Sequence, residues 1–487
     1  MELLKSVFYF FHGLLWGDLF TIPLPGGNTM GVSTLVLLLI PAGIFFTIRL
    51  KFMPIRLFPE MIRVTLEKKT NSSNSLSGLQ ALIVSTATRV GMGNLMGVVA
   101  AVSAGGAGAV FWMWITAILG SSTAFAEGAL AQLHKEKDPL YGGYRGGPAY
   151  YIHNFFTKGK VTNKKPIIAI LFALSGLLCW CGISQVISNS VASSFENAFN
   201  IPPLYTTIAL VAISAVIVLR KNTTVKVLDI LVPIMAGCYF FITIFVIVKN
   251  IALMPAVFER IFAEAFGLRA IAGGGLGAVV MNGVKRGLFS NEAGVGASAS
   301  ASGSASVSHP VKQGLVQVLS VFLDTIVICT ATALLCMCSG VEPNADMAGM
   351  AYVQACISNV FGQAGVVFIT VALILFAFTT LIGNYFFAET GIVYLCGKNP
   401  SKTALLCVRV LAIVIVLVGA VASLGVVWDT ADVLMGLMAI INVPVIFLLA
   451  KTASKCLDDY VAQKKAGKKP VFKAADIGLK EKTDFWN

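Results

Sequence analysis

The chain has 487 residues, of which 57% are hydrophobic and 12% charged, and its mean hydropathy is +0.83. That balance excludes a soluble globular protein, and apolar runs of about 20 residues recur along the whole length, each matching the hydrocarbon thickness of a bilayer. The formal net charge of +13 does not mark a nucleic-acid binder, because the lysines and arginines gather in alternate loops, the pattern of a helical multi-pass membrane protein.

In chain order, residues 1–29 carry Phe8-Tyr-Phe-Phe11 and Leu14-Leu-Trp16 and are too short to span; they read as an interfacial amphipathic helix rather than a signal peptide. A first span is expected at 31–48. The loop after it holds Arg49, Lys51, Arg56, Arg63, Lys68 and Lys69, with turn-formers from Asn71 to Ser75. It is expected to be cytoplasmic, which puts the N-terminus outside. Further spans are expected at 79–101, 109–133, 166–193, 202–219, 228–248, 273–301, 314–337, 366–393, 404–424 and 434–450. Lys135, Lys137, Lys158 and Lys165 mark one cytoplasmic loop, and Arg220, Lys221 and Lys226 another. Lys398 and Lys402, with Arg409, are expected on the cytoplasmic side of later spans. An external loop around 249–271 mixes Lys249, Arg260 and Arg269 with Glu259 and Glu264. The lysine-rich tail 451–487 is expected in the cytoplasm, where it serves solubility or meets anionic lipid. The ten cysteines lie mostly inside apolar spans and the four histidines are scattered, so neither a disulfide framework nor a metal cluster is expected.

The fold class is thus an all-α polytopic membrane protein with about 11 transmembrane helices. Without the first span, ten remain as two sets of five, and an odd repeat inverts the second set. The expected organisation is an N-terminal part over 1–78, a first five-helix repeat over 79–250, a second over 271–450, and the tail. The first member of each set is the irregular one. The span at 79–101 contains Thr88-Arg-Val-Gly-Met-Gly-Asn94, and the span at 273–301 contains Asn282-Gly-Val-Lys-Arg-Gly-Leu-Phe-Ser-Asn-Glu-Ala-Gly294. Glycine is a poor helix former, and a broken helix in hydrocarbon persists only where it lines a cavity or binds something. Residues 88–94 therefore read as a non-helical hinge; a glycine packing face is the alternative. Matched interrupted helices point to a transporter site near the midplane.

The stretch Gly105-Gly-Ala-Gly-Ala-Val-Phe-Trp-Met-Trp-Ile-Thr-Ala-Ile-Leu-Gly120 resembles, position by position, the signature of the alanine or glycine:cation symporter family. Lys285-Arg-Gly-Leu-Phe-Ser-Asn-Glu-Ala-Gly294 and Phe376-Ala-Phe-Thr-Thr-Leu-Ile-Gly383 resemble two further blocks of it, and the resemblance covers about 79–450. It implies sodium-coupled uptake of small neutral amino acids by a LeuT-like 5+5 inverted repeat with one extra N-terminal helix, in the plasma (inner) membrane. The implied partners are the amino acid, sodium and the lipid bilayer. No cofactor, nucleic acid or protein partner is implied, and no Ser/His/Asp or Cys/His set converges to suggest an enzyme.

A zwitterionic substrate needs donors for its carboxylate and acceptors for its ammonium, and a half-helix N-terminus with free amides supplies the first. By the resemblance, the amides of Met92 and Gly93, beside Asn94, hold the carboxylate. Phe289, Ser290 and Asn291 flank the side chain, and Gln185, Thr380 and Asn384 face the same cavity. For Gln185 an interhelical contact is equally open. The implied sodium ligands are the carbonyls of Ala87, Val90 and Phe376 and the hydroxyls of Thr379 and Thr380. Taken alone, a Thr-Thr pair more often bonds back to its own helix. Arg89, Lys285, Arg286 and Glu292 lie at membrane depth, with Glu127 and Asp324 nearer the span ends, and each is expected to find a partner on another helix. Many family members carry threonine in place of Arg89 and tryptophan in place of Asn384, which leaves the substrate open, with glutamine a candidate beside alanine. A proton-coupled carrier and a channel are the competing readings.

Overall fold

In hydrocarbon every backbone N–H and C=O must be satisfied within the chain, so apolar stretches of this kind fold as helices. The computed structural model describes residues 2–23, 29–67, 76–140, 142–160, 164–219, 224–267, 275–342, 349–397, 401–479 and 483–486. The turn expected at 71–75, the basic residues Lys68, Lys69, Arg220, Lys221, Arg269 and Lys398, and the start of the span at 273–301 lie outside them.

The elements follow in order. Helix α1 (Glu2–Trp16) leads into a hairpin of β1 (Asp18–Pro23) and β2 (Thr29–Ser33), then α2 (Thr34–Arg49), α3 (Met53–Arg56) and α4 (Phe58–Leu66). Helix α5 (Gly78–Arg89) is followed by a π-helical turn (Gly93–Gly97) that runs into α6 (Val98–Gly105). Helix α7 (Gly108–Leu133) precedes the short pair β3 (Glu136–Lys137) and β4 (Tyr144–Arg145). Helices α8 (Pro148–Thr157), α9 (Ile167–Phe199), α10 (Pro203–Leu219), α11 (Thr224–Lys249) and α12 (Met254–Ala265) complete the first half. The second half holds α13 (Leu276–Asn291), α14 (Ala299–Gly303) and α15 (Pro310–Val321), with a π-helical stretch (Phe322–Cys329) joining α15 to α16 (Thr330–Met337). Helices α17 (Met350–Phe361), α18 (Gln363–Cys396), α19 (Lys402–Val421), α20 (Leu424–Leu448) and α21 (Ala450–Lys465) end the chain.

The described part of each stretch read as a span is largely helical, with interruptions at 90–91 and 292–298. Among the described residues, five helices are long and apolar enough to cross a bilayer by themselves, and six if the pair bent by 74° around Asn250 counts as one. Two packing groups stand out: α7 with α13 and α15, and α9 with α18, α19 and α20.

Four departures from the sequence reading have local causes. First, the chain is not purely α. After α1 it forms a hairpin, and the first span starts at Thr34 because the Ser33 hydroxyl accepts from the Val36 amide at 3.3 Å and caps the helix there. Helix α1 is docked rather than merely interfacial: Leu15 and Trp16 are buried, and the Trp16 indole donates to the Asp432 carbonyl at 3.1 Å. Second, the basic loop after α2 contains α3 and α4, each started by a proline in its first turn. Third, the loop after α11, expected to be external, contains α12, whose Glu264 accepts from the amides of Ala107 at 2.6 Å and Gly108 at 3.4 Å and so caps α7. Fourth, the last span begins at Leu424, ten residues before the expected 434.

The tail is also structured. Asp459 on α21 meets the His309 ring at 3.0 Å, and the Tyr460 hydroxyl donates to Glu60 at 2.7 Å. The Phe472 amide donates to the Ser308 carbonyl, and the Trp486 indole to the Gln132 carbonyl, both at 3.0 Å. Lys135 lies 4.1 Å from the Tyr144 ring centre and 4.8 Å from that of Trp486, a cation–π cage. Phe472, Ile477 and Trp486 are buried, so the tail does more than carry lysines to solvent or lipid.

Burial beneath the tail pulls the His309 imidazole down from 6.5 to about 4, against the opposing pull of Asp459. An undocked tail would leave the ring near its ordinary value, so between those limits the undocked form binds more protons. Docking is then complete above about pH 6.5 and weakens as pH falls towards about 4. Limited proteolysis of the reconstituted protein should show the tail becoming more cleavable over that range, and His309→Gln should flatten the response. Equal cleavage across the range in the parent would refute the linkage.

Candidate functional site

The first break is narrower than the sequence suggests. A capping box fixes the start of α5, with reciprocal contacts of 3.1 Å between Ser77 and Gln80. The helix then runs through Thr88 and Arg89, which the sequence reading placed in the hinge. Only Val90 (φ −77°, ψ 80°) and Gly91 leave it before the chain turns again at Met92. Arg89 stays helical because its side chain finds acceptors elsewhere. The Asn94 carboxamide folds back and takes the Gly91 amide at 2.8 Å. Met92 and Gly93 open the half-helix that follows, the turn whose amides point out of the helix end.

The second break follows Asn291. Glu292, Gly294 and Gly296 have φ of 52°, 91° and 86°, left-handed values that only glycine adopts without strain. Glu292 accepts from the Ser298 hydroxyl within the same loop. The Gly294 carbonyl accepts from the Asn442 carboxamide at 3.0 Å, and Asn442 also donates to Glu127 at 2.6 Å.

The two breaks touch. A Cβ placed on Gly93 would lie 3.1 Å from Ser290 Cα and 3.3 Å from the Phe289 ring. Two side chains then tie the breaks together. Arg89 Nε donates to the Asn291 carbonyl at 2.6 Å, while its Nη1 donates to Gln317 Oε1 at 2.8 Å. From the π-helical stretch after α15, the fully buried Asp324 accepts from Asn94 Nδ2 and Ser290 Oγ, each at 2.8 Å, and from Thr325 Oγ1 at 2.6 Å. The sequence reading set Asp324 near a span end. It stands instead between the breaks. Its charge in an apolar run was the available signal, but nothing in the sequence tied it to Asn94 and Ser290.

Other ionisable groups pair as expected of membrane-depth charges. Arg286 meets Asp432 of α20 at 2.5 Å and lies 4.3 Å from the Trp428 ring centre, while Lys285 lies 4.9 Å over Trp16. Phe289 packs on Trp428 with ring centres 4.7 Å apart.

Of the residues expected at the site, Gly93, Asn94, Phe289, Ser290 and Asn291 come together here, with Met92 beside them in the same turn. On α18, Thr379 and Thr380 both donate to the Phe376 carbonyl, at 3.0 and 2.7 Å. This is the back-bonding alternative, and it occupies the Phe376 oxygen while leaving the two hydroxyl oxygens as acceptors. Helix α5, which carries Ala87 and ends at the Val90 cap, packs along α18. Asn384, one turn beyond Thr380, lines a cavity with Trp180 and Met438. Gln185 stands apart. Its backbone packs against Gly419 of α19, where a Cβ would come within 2.4 Å of Gln185 Cα. Ser188 donates to the Val416 carbonyl and Asn189 to the Gly419 carbonyl of α19. The backbone of Gln185 thus stands at a helix–helix contact between α9 and α19.

The model of the sodium:alanine symporter family matches residues 25–474, nearly the whole chain. The chain belongs to that family. It is similar to the probable sodium/glutamine symporter GlnT of Bacillus subtilis, 42% identical with 90% of each chain covered. It is 41% identical to the amino-acid carrier protein AlsT of the same organism, covering 92% of this chain and 94% of that one. The sodium/alanine symporter AgcS of Methanococcus maripaludis is 34% identical, with 85% and 91% covered. Among solved structures, a manganese transporter of Eremococcus coleocola shares the fold with a TM-score of 0.51 at 14% identity, over 87% of this chain and 85% of that one. The protein is thus a multi-pass membrane symporter of a cation-coupled amino-acid family and not an enzyme.

Gly93→Leu should abolish uptake while the protein still accumulates in the membrane, because the side chain would push Ser290 away. Asp324→Asn keeps the shape but removes the charge that gathers three donors, and uptake should fall about tenfold or more, about 1.4 kcal/mol. Initial uptake rates normalised to membrane-inserted protein test both; parental rates in both variants would show that the breaks are not the site.

Proposed function

We propose that the chain carries one sodium ion and one small neutral amino acid together into the cell by alternating access, across the plasma membrane. The observation that carries this reading is the meeting of the two broken helices at Asp324 and Arg89. The breaks stand at the first position of each proposed five-helix set, over 79–250 and 271–450, which supports eleven spans in a 5+5 arrangement with α2 as the additional helix. Alternate basic loops support an external N-terminus and a cytoplasmic tail.

In this reading the substrate carboxylate sits on the Met92 and Gly93 amides at the positive end of the half-helix. Phe289, Ser290 and Asn291 border its side chain. The cation is met by the hydroxyls of Thr379 and Thr380 with the carbonyls of Ala87 and Val90. Three carboxyl groups, Glu127, Glu292 and Asp324, lie within electrostatic reach of the Arg89 guanidinium, so oxygen atoms gather around the breaks, as a cation needs. Polarity concentrated at two breaks supports a carrier over a channel, which needs a continuous polar lining. Alanine and glycine are the first substrates, and glutamine joins them on the size and polarity of Asn384 and on the name of the relative GlnT.

If one net charge moves per cycle, 100 mV inside-negative adds about 2.3 kcal/mol, nearly fifty-fold in accumulation. Proteoliposome uptake of alanine should rise with both the sodium gradient and the potential, and Thr380→Ala should raise the sodium needed for half-maximal uptake. Uptake that follows a proton gradient and ignores sodium would replace sodium with the proton as the coupling ion.

A further inference from the structure

Arg89 is the last residue of α5 and is 1% exposed. Its Nε donates to the Asn291 carbonyl at 2.6 Å, and its Nη1 to Gln317 Oε1 at 2.8 Å and to the Gln317 carbonyl at 3.4 Å. All three acceptors are neutral oxygens. A guanidinium can only donate, so the carboxamide atom facing it is the oxygen. The carboxamide is held in that sense from its other end, where Nε2 donates to Ser85 Oγ at 2.7 Å and to Ser302 Oγ at 2.8 Å. Ser85 belongs to α5, before the first break, and Ser302 to α14, after the second. Helix α7 closes in from another side: a Cβ on Gly128 would lie 2.7 Å from Gln317 Cγ and 3.2 Å from Ser302 Oγ. The oxygens therefore form a cradle held by several elements at once.

The chemistry of this cradle is that of a cation site. Asn291 ends α13, so its carbonyl stands at the negative end of the helix dipole. In carriers built on interrupted helices, carbonyls at such an end coordinate the coupling cation. Carbonyl oxygens likewise replace the water shell of a monovalent ion in a channel filter. Here a side chain from the other break holds the place. The guanidinium keeps its proton and is covalently attached, so it neither leaves with the substrate nor drains away when sodium falls. Without it the same oxygens would stand unmet in hydrocarbon, which is destabilising.

We propose that Arg89 is a tethered cation. Its guanidinium fills a cation cradle made by the Asn291 carbonyl, the Gln317 carbonyl and Gln317 Oε1, and a free guanidinium ion takes the same place when the side chain is cut back. Arg89 is then a positioning residue. It holds the end of the second break beside the first whether or not sodium is bound, and its charge stays with the protein throughout the cycle. The inference rests on the symporter reading and separates two cation positions within it, a fixed one at Gln317 and a mobile one at Thr379 and Thr380.

Guanidinium and urea test it, because they share a shape and differ in charge. In proteoliposomes, Arg89→Ala should lower the initial rate of alanine uptake about tenfold or more. Millimolar guanidinium should restore that rate about fivefold or more, and urea should not. Such concentrations lie far below the molar range in which guanidinium unfolds proteins. The parent, and Arg89→Met, whose side chain fills the space, should not respond. Purified Arg89→Ala, with no ion gradient, should gain thermal stability from guanidinium and none from urea. If Arg89→Ala does not accumulate in the membrane, Arg89→Lys and Arg89→Met decide, since they are similar in length and differ in charge. Arg89→Lys should then transport about tenfold faster than Arg89→Met. Parental uptake by Arg89→Ala, a guanidinium response no larger than the urea response, or equal rates in Arg89→Lys and Arg89→Met would overturn the tethered cation. Thermal rescue of Arg89→Ala by guanidinium, beside a parent whose alanine uptake ignores sodium, would sustain the cradle and defeat the coupling reading instead.

Discussion

Inside a bilayer no water takes over a backbone group that a helix has released, and the centre of this protein follows from that constraint. Two helices are interrupted, and the groups they release are satisfied partly within a break and partly across to the other. The carbonyl freed at Asn291 receives the Arg89 guanidinium, and the amide freed at Gly91 receives Asn94, whose other end reaches Asp324. Asp324 also holds Ser290 from the second break. An unpaired backbone group in hydrocarbon costs several kcal/mol, and at Asn291 that group is met by a side chain from the first break. The breaks lie side by side, and the close contact of Gly93 with Ser290 is the steric condition for it.

How much of this is legible in the sequence depends on the kind of signal. Span positions are legible because hydrophobic length is a property of the chain itself. The two breaks are legible because Gly91, Gly93 and Asn94, and later Asn291, Glu292 and Gly294, stand where a quiet span carries leucine. The extent of the first break is not. Thr88 and Arg89 look like hinge residues when polarity is counted alone, yet Arg89 stays helical because its acceptors come from residues more than 200 positions away. Asp324 shows the same limit. A carboxylate in an apolar run is conspicuous, but its partners on two other helices are a matter of packing.

Other features escape for local reasons. The stretch after Ile48 reads as a basic loop, and Pro54 and Pro59, usually taken as breakers, in fact start the two short helices there. The hairpin after α1 has no clear alternation to announce it. In the tail, abundant lysine hides Phe472 and Trp486, two aromatics spaced too far apart to form a periodic pattern. Gln185 is the reverse case: a polar residue in a span invites a binding role, while its Cα lies against Gly419 and fits a close helix crossing.

The threonine pair on α18 has an electrostatic consequence. Because Thr379 and Thr380 each commit their single proton to the Phe376 carbonyl, the side chains face their surroundings with lone pairs only. Such a surface can accept and cannot donate. It repels carbonyl and carboxylate oxygens and attracts positive charge, although the residues carry no formal charge of their own. The neighbouring turn of the same helix has the opposite sense at Asn384, where a buried amide N–H is left without an acceptor among the described residues. Over one helical turn, α18 thus passes from two hydroxyls whose protons are committed to its own backbone to an amide whose N–H is not.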